Sequence, residues 1–472
     1  MLRRRPLAVP GIQRAPTSLP KCFEDMNTTS KLNRRQASSQ LFERAKAVMP
    51  SGYTRNMLVT HPHPLYAAQA NGCLITDADG QARIDWVNNF ASLIHGHNKR
   101  EVVDIVAQQA SRLLSATMPA EWEVRLAELL VNRISSVDAV RFMNSGTEAN
   151  LIAIKAARAF SGRSKVAKLE GGYHGQYDLL EASYLPRPED WGDRSSPRVI
   201  AHNAGTPQSL LDELVLFPLN DIPTMREILT RNAKEVGAVI IDPIGLSLGS
   251  GVYAELDFIE ALREITKKLG MVLIFDEVWS LRTGYGGTQG NISVMPDLTT
   301  MGKMIGGGLP IGAVGGTHEV MSVFSVENGE PPVKHSGTFT GNPMSMAAGY
   351  TAMSLLTPDA FDGLARQGQR LSDGLTRALQ DTGFSGHVVN RGSMTNLLFT
   401  PHMPKDYREL FYQQTPEATA VSRAVQALLP EEGLHVLRNM FVGSTAITDD
   451  HVDATVEAVE RALRRIKEDQ GV

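Results

Sequence analysis

The chain of 472 residues has only two cysteines, Cys22 and Cys73, far apart in sequence. That excludes a disulfide framework and a cysteine-built zinc site, and it fits a reducing compartment. Strong charge of either sign is missing too: the net charge is −4, which gives no general attraction to nucleic acid. No apolar run reaches the length needed to cross a bilayer, so no membrane association is expected. Acids are nearly absent from residues 1–35, where Glu24 and Asp25 stand against Arg3, Arg4, Arg5, Arg14, Lys21, Lys31, Arg34 and Arg35. Organelle transit peptides share this bias, but a secretory apolar core is lacking. The stretch is expected to be a disordered or loosely docked extension on a cytoplasmic protein. The rest is ordinary globular composition, 42% hydrophobic and 21% charged, long enough for a large core and more than one domain.

The stretch 271–310 organises the chain. An apolar run, Met271 to Phe275, ends in Asp276 and Glu277 and reads as a buried parallel strand. A second strand-like piece, Leu298 to Met301, is followed by Lys303 and by the glycine-rich Gly306-Gly307-Gly308-Leu309-Pro310. An acid at one strand end and a lysine just past the next meet the needs of a pyridoxal 5'-phosphate site. The lysine bonds the cofactor's aldehyde, and the acid keeps its pyridine nitrogen protonated. Taken alone, Asp276 also reads as a helix cap and Lys303 as a surface charge.

Around this stretch the chain alternates between strand and helix: strand 139–143, helix 147–160, strand 164–169, helix 224–235, strand 237–241, helix 255–269 and strand 271–275. This predicts a doubly wound or related α/β sheet. Residues 175–213 are long, irregular and rich in Pro, Gly, Asp and Ser, as functional lids and edges are. Residues 37–50 read as an amphipathic helix. Residues 73–87 read as a hairpin turning at Asp79-Gly80, and 99–112 and 119–134 read as helices. After residue 344 come helices at 345–356 and 359–382, a mixed α+β part, and a last helix at 449–468. The expected division is an extension (1–35), a large α/β domain (99–344), and a smaller α+β domain built from both chain ends (36–98 and 345–472).

Several loops carry chemistry. Ser145, Gly146 and Thr147 join a strand to a helix, where N–H groups, hydroxyls and the helix dipole favour a phosphate; the same residues also read as a simple cap. In Gly171-Gly172-Tyr173-His174-Gly175, Tyr173 suits stacking on a flat ring. Asp242 ends strand 237–241 at the edge where ligands bind in open α/β sheets. Thr338, in His335-Ser336-Gly337-Thr338-Phe339-Thr340-Gly341-Asn342-Pro343, offers a further hydroxyl or caps the next helix. Arg55 sits among turn formers, as a carboxylate clamp or a surface cation.

The segments MNSGTEAN, GGYHG, IFDEV, TTMGKMIGGGLPIGA and HSGTFTGNP, in this order, resemble the class III pyridoxal-phosphate aminotransferases. Within them the match is to the branch holding glutamate-1-semialdehyde aminomutase and the β-amino-acid (β-phenylalanine) aminotransferases, over roughly residues 40 to 470. The resemblance implies fold type I, with a large, mainly parallel, seven-stranded α/β domain and a homodimer with its active sites at the interface. It implies that Lys303 bonds the cofactor and Asp276 pairs with the pyridine nitrogen. Ser145, Gly146 and Thr147 would hold the phosphate and Tyr173 would face the ring. His174, Asp242 and Val278 are expected nearby, and Thr338 would reach the neighbouring subunit's cofactor. Three departures matter. Trp279 stands where many class III members have a glutamine, and is expected to shape the substrate pocket. Asp242-Pro243 replaces Glu-Pro. SGTFTGNP is closer to the β-amino-acid enzymes than the aminomutase's AGTLSGNP. In that branch an arginine at the position of Arg55 binds the substrate carboxylate.

The expected activity is a ping-pong transamination from an amino acid, a β-amino acid favoured, to a 2-oxo acid. The alternatives are an intramolecular amino shift behind a lid, racemisation or decarboxylation on the same scaffold, and a non-catalytic protein that kept the fold.

Overall fold

The computed structural model describes residues 36–245, 251–327 and 329–469; the expected extension 1–35 lies outside them. Seven strands form the main sheet: β1 (Ala139–Met143), β2 (Lys165–Leu169), β3 (Leu214–Phe217), β4 (Val236–Ile241), β5 (Val272–Asp276), β6 (Leu298–Gly302) and β7 (Gly312–Gly316). Their order across the sheet is β1-β7-β6-β5-β4-β2-β3. Every pairing is parallel except the two made by β7.

Strands β4 and β5 are apolar at nearly every position because both faces of the sheet are covered. Side chains alternate between the faces. From β5, Val272 and Ile274 enter one core while Leu273 and Phe275 enter another. Burying each such side chain is worth about 1.5–3 kcal/mol as an upper figure. Helix α1 (Gly146–Ser161) packs Ala153, Ile154 and Ala157 on the first face. Helix α2 (Leu256–Leu269) packs Phe258, Leu262 and Ile265 on the second. Both stop at a glycine in the left-handed region, Gly162 and Gly270, the usual way to turn the chain back toward a strand.

Two strands depart from the expected pattern. β3 lies just past the stretch read as irregular. β7 is the sequence Gly-Ala-Val-Gly-Gly, which propensity disfavours. It is a strand because there is no room for anything larger. A Cβ on Gly312 would lie 2.0 Å from the Ser145 carbonyl oxygen, and one on Gly316 would lie 2.5 Å from that of Asp297. The stretch 175–213 is mostly irregular, but much of it is tied down. Trp191, 4% exposed, meets Tyr407 and Phe411 edge-on, and its indole N–H donates to the Pro186 carbonyl. This part is therefore an edge of the sheet rather than a free lid.

The described residues form two compact units, 36–69 with 76–82, and all the others. In the first unit, helix Gln36–Val48 is fastened at its start. Asp79 accepts hydrogen bonds from the backbone of Ala37 and Ser38 and from the Ser38 hydroxyl. The expected hairpin forms, with strands Leu74–Asp77 and Ala82–Asp85. In the second unit, Ile84 and Asp85 pair in parallel with Leu434 and His435. Trp86 joins the core under helices Pro358–Thr382 and Asp449–Asp469. Strands His387–Arg391, Met394–Leu398 and Met440–Val442 make an antiparallel sheet there. No helix among the described residues is long and apolar enough to cross a membrane.

Candidate active site

The parallel register sets Asp276, the last residue of β5, opposite Thr300 on β6. Asp276 is 7% exposed. Its Oδ2 accepts from His174 Nδ1 at 2.8 Å and from the Asn150 amide at 2.9 Å, and its Oδ1 accepts from the Val278 N–H at 3.1 Å. Burial acts to raise the pKa of this carboxyl. The hydrogen bond from His174, the Val278 N–H and the charge of Lys303 outweigh it, so the net shift is downward and the group stays ionised. Burial holds the His174 pKa low despite its carboxylate partner, so the neutral ring donates through Nδ1. Asn150 is fixed in turn, its carbonyl accepting from the Thr300 hydroxyl at 2.5 Å. Asn150 and Thr300 were not singled out in the sequence. An asparagine inside a helix and a threonine inside a strand carry no signal until the register brings them together.

Lys303 follows β6 at φ +47°, a left-handed conformation costly for a side chain of this size. Burial lowers its pKa to about 8, against the opposing charges of Asp276 and Asp242. Its Nζ makes no hydrogen bond among the described residues and lies 4.7 Å from the Trp279 ring centroid. Asp242 is buried below, where it acts on Lys303 through charge.

The start of α1 forms a cradle. Ser145 is its N-cap, its hydroxyl accepting from the Glu148 N–H at 3.1 Å. A Cβ on Gly146 would sit 2.8 Å from a Val278 methyl, and one on Gly175 would sit 2.6 Å from the Thr147 hydroxyl. The glycines thus let the GGYHG loop and the β5 loop close on the helix end, which carries a partial positive charge.

These groups line one cavity of about 410 Å³, together with Tyr173, Asn89, Phe90 and residues 308–311. Tyr173 packs 5.0 Å from Tyr184, whose hydroxyl accepts from Arg438 at 3.3 Å. Asn89 and Phe90 belong to a turn in which four successive residues, Asn88 to Ala91, have positive φ. The turn is held from beneath. Asp85 accepts the Val87 and Asn88 N–H groups, Asn88 donates to the Val442 carbonyl, and the buried Arg282 donates to the Ala91 carbonyl. Local sequence gave no sign of this turn.

Of the site residues expected from sequence, Ser145, Gly146, Thr147, Tyr173, His174, Asp276, Val278, Trp279 and Lys303 line this cavity. Asp242 does not line it, and Thr338 is exposed outside it. Arg55 belongs to the first unit, where it is exposed at the start of the turn Asn56–Leu58.

The donor set fits pyridoxal phosphate. The glycine-lined helix start suits a phosphate, an ionised buried carboxylate suits a pyridinium, and a lysine of lowered pKa suits an aldehyde. Among the described residues no group of His, Cys, Asp and Glu is arranged to hold a metal ion.

Comparison with known proteins agrees. Residues 57–463 match the family Aminotransferase class-III. A glutamate-1-semialdehyde 2,1-aminomutase from Desulforudis audaxviator is 36% identical over 435 residues, 90% of this chain and 97% of that one. The crystal structure of an omega-transaminase from Sphaerobacter thermophilus is 43% identical, with a TM-score of 0.89 over 93% of this chain and 99% of that one. A β-phenylalanine aminotransferase from Variovorax paradoxus is 30% identical, with a TM-score of 0.82 over 94% and 96%. The sheet order, the acid–lysine pair and these similarities have one common reading: the chain belongs to the class-III aminotransferases, fold type I enzymes that work with pyridoxal 5'-phosphate.

Proposed function

We propose that this enzyme moves the amino group of a β-amino acid with an apolar, preferably aromatic, side chain to a 2-oxo acid in two half-reactions. The observation that carries the catalytic reading is the pairing of a half-buried, cavity-facing lysine of lowered pKa with an ionised buried aspartate in one cavity. The aromatic preference is supported by Tyr173, Phe90 and Trp279 in the lining. The β-amino-acid preference is supported by the SGTFTGNP loop and by the similarity to the β-phenylalanine enzyme.

In this reading Asp276 holds the cofactor's ring nitrogen, the Ser145–Thr147 cradle holds its phosphate, and Tyr173 faces its ring. Val278 and His174 complete the seat. When bound, the cofactor supplies an electron sink for the carbon that loses a proton. The Lys303 amine takes that proton on Nζ and returns it to the neighbouring carbon. Asp276 keeps its negative charge throughout because His174, Asn150 and the Val278 N–H all donate to it. Arg55 binds the substrate carboxylate, and the aromatic lining limits access of water.

A second reading, the intramolecular amino shift, is favoured by the similarity to the glutamate-1-semialdehyde aminomutase. One experiment separates them. The cofactor-loaded enzyme is mixed with single donors in the absence of any 2-oxo acid: β-phenylalanine, β-alanine, α-amino acids of both hands, simple amines and glutamate-1-semialdehyde. Loss of the visible cofactor band with β-phenylalanine supports the transaminase. Conversion of the semialdehyde to 5-aminolevulinate without an acceptor supports the aminomutase and removes the first reading.

The same proposal includes a cytoplasmic homodimer and a small domain made of residues 36–98 and 345–472 beside the large domain 99–344. Thr338 and Phe339 are exposed on this chain, consistent with their reaching a neighbouring subunit's site. The pairing of residues 84–85 with 434–435 supports joining the two chain ends.

A further inference from the structure

Trp279 follows Asp276 by three residues and is partly buried. It packs against a cluster of Ala91, Ile244, Tyr253, Met394, Met440 and Val442. One edge of this residue lines the cavity, and Lys303 Nζ lies over its ring at 4.7 Å. The same Nζ makes no hydrogen bond among the described residues. Lys303 is half-buried and faces the cavity, and an aromatic face within about 6 Å attracts an ammonium that has no carboxylate or carbonyl in hydrogen-bond reach.

We infer that Trp279 is a positioning residue for Lys303: its indole face receives the lysine's charged head whenever the amine is not bonded, and holds it beside the reacting carbon. The inference rests on Lys303 being the reacting amine. The groups that face Lys303 from the surrounding elements are Asp276 at the end of β5, Asp242 at the end of β4, and Tyr173 with His174 from the GGYHG loop. The carboxylates favour the ammonium by charge and the ring by its quadrupole, against the burial that lowers the pKa to about 8. A tryptophan that merely filled space would be replaced equally well by leucine or phenylalanine. A cation-binding face is kept by phenylalanine and lost with leucine.

The test uses cofactor-free protein, with circular dichroism to verify that each variant is folded. Tryptophan fluorescence is followed from pH 6 to 10. Wild type is expected to show a transition near pH 8 that disappears in Lys303→Met and in Trp279→Leu, because the other tryptophans, Trp86, Trp122 and Trp191, lie outside the cavity. The rate at which added pyridoxal phosphate develops its visible band is then measured against pH. The midpoint is expected to stay near 8 in Trp279→Phe and to fall by about one pH unit in Trp279→Leu. A Trp279→Leu midpoint equal to wild type, or a fluorescence transition that survives Lys303→Met, overturns the inference. If wild type develops no visible band at any pH while the Lys303-dependent transition persists, the cofactor reading fails and the contact between Lys303 and Trp279 stands.

Discussion

Two lysines stand at the same edge of the main sheet, Lys168 on β2 fully buried and Lys303 after β6 half-buried in the cavity, and desolvation lowers the pKa of both, to about 7 for Lys168 and about 8 for Lys303. Their surroundings differ. Lys168 donates to the Gly172 carbonyl at 2.5 Å and to the Leu180 carbonyl at 3.1 Å, with the charge of Glu181 nearby. Lys303 meets a ring and two carboxylate charges and makes no hydrogen bond among the described residues. The first is bound into the fold, and its ammonium braces the loop that presents Tyr173. The second is left able to bond something else. A lowered pKa alone does not mark a reacting lysine; what distinguishes it is an amine with no hydrogen-bond partner in a cavity.

The largest effect that tests this contrast is on turnover. Lys303→Ala is expected to lower kcat by at least about 10³-fold, while Lys168→Met leaves the visible cofactor band in place. Loss of the band in Lys168→Met with its retention in Lys303→Ala would reverse the assignment. Asp276→Asn should lower kcat by about 10²–10³-fold, because the charge that Asn150 and His174 support is gone.

Stability should respond in the other region. Lys168→Met leaves two carbonyls without their donor and is expected to cost about 1–3 kcal/mol in denaturant unfolding. Its pH dependence has a definite sign. The folded pKa of about 7 lies below the free-lysine value of 10.5, so between these values the unfolded chain binds more protons than the folded one. Stability relative to Lys168→Met therefore rises with pH across that window, by at most about 1.4 kcal/mol per pH unit. A flat difference would mean that Lys168 is not buried as described.

Gly146→Ala probes the cradle, since its Cβ would press on Val278. A loss of about 1–3 kcal/mol in stability, accompanied by weaker binding of the cofactor, is expected by equilibrium titration. The smallest effect concerns Arg55. Arg55→Ala should raise KM for an amino-acid donor by about tenfold and leave simple amines unaffected; an unchanged KM would remove it from the substrate site.

Much of the sheet and the cavity floor was legible in the sequence. β5 is apolar and β6 is buried along its whole length because both faces are covered, and Asp276 and Lys303 stand out as charges at their ends. The cradle was legible because a small, polar stretch between a strand and a helix has few physical uses. β7 was not, because its glycines report crowding from Ser145, Val137 and Leu298, and crowding is a tertiary fact. The Asn150–Thr300 pair depends on register, and the turn at 88–91 depends on Asp85, Val442 and Arg282, residues up to 354 positions apart. Arg55 and Thr338 stood out as polar groups in turn-rich loops and gained their roles from the resemblance; Thr338 is exposed outside the cavity of its own chain.

The turn from Asn88 to Ala91 has a consequence for engineering. Left-handed backbone costs an L-residue roughly 1–2 kcal/mol, somewhat less for asparagine. The protein therefore carries several kcal/mol of strain, in round numbers, in a wall of the cavity that holds Lys303 and Asp276. A glycine or a D-residue at position 89 would relieve part of it, and selection for heat resistance should find this site early. Glycine would also free the segment that aims Phe90, so the heat-resistant variants are expected to be the ones with the loosest substrate preference.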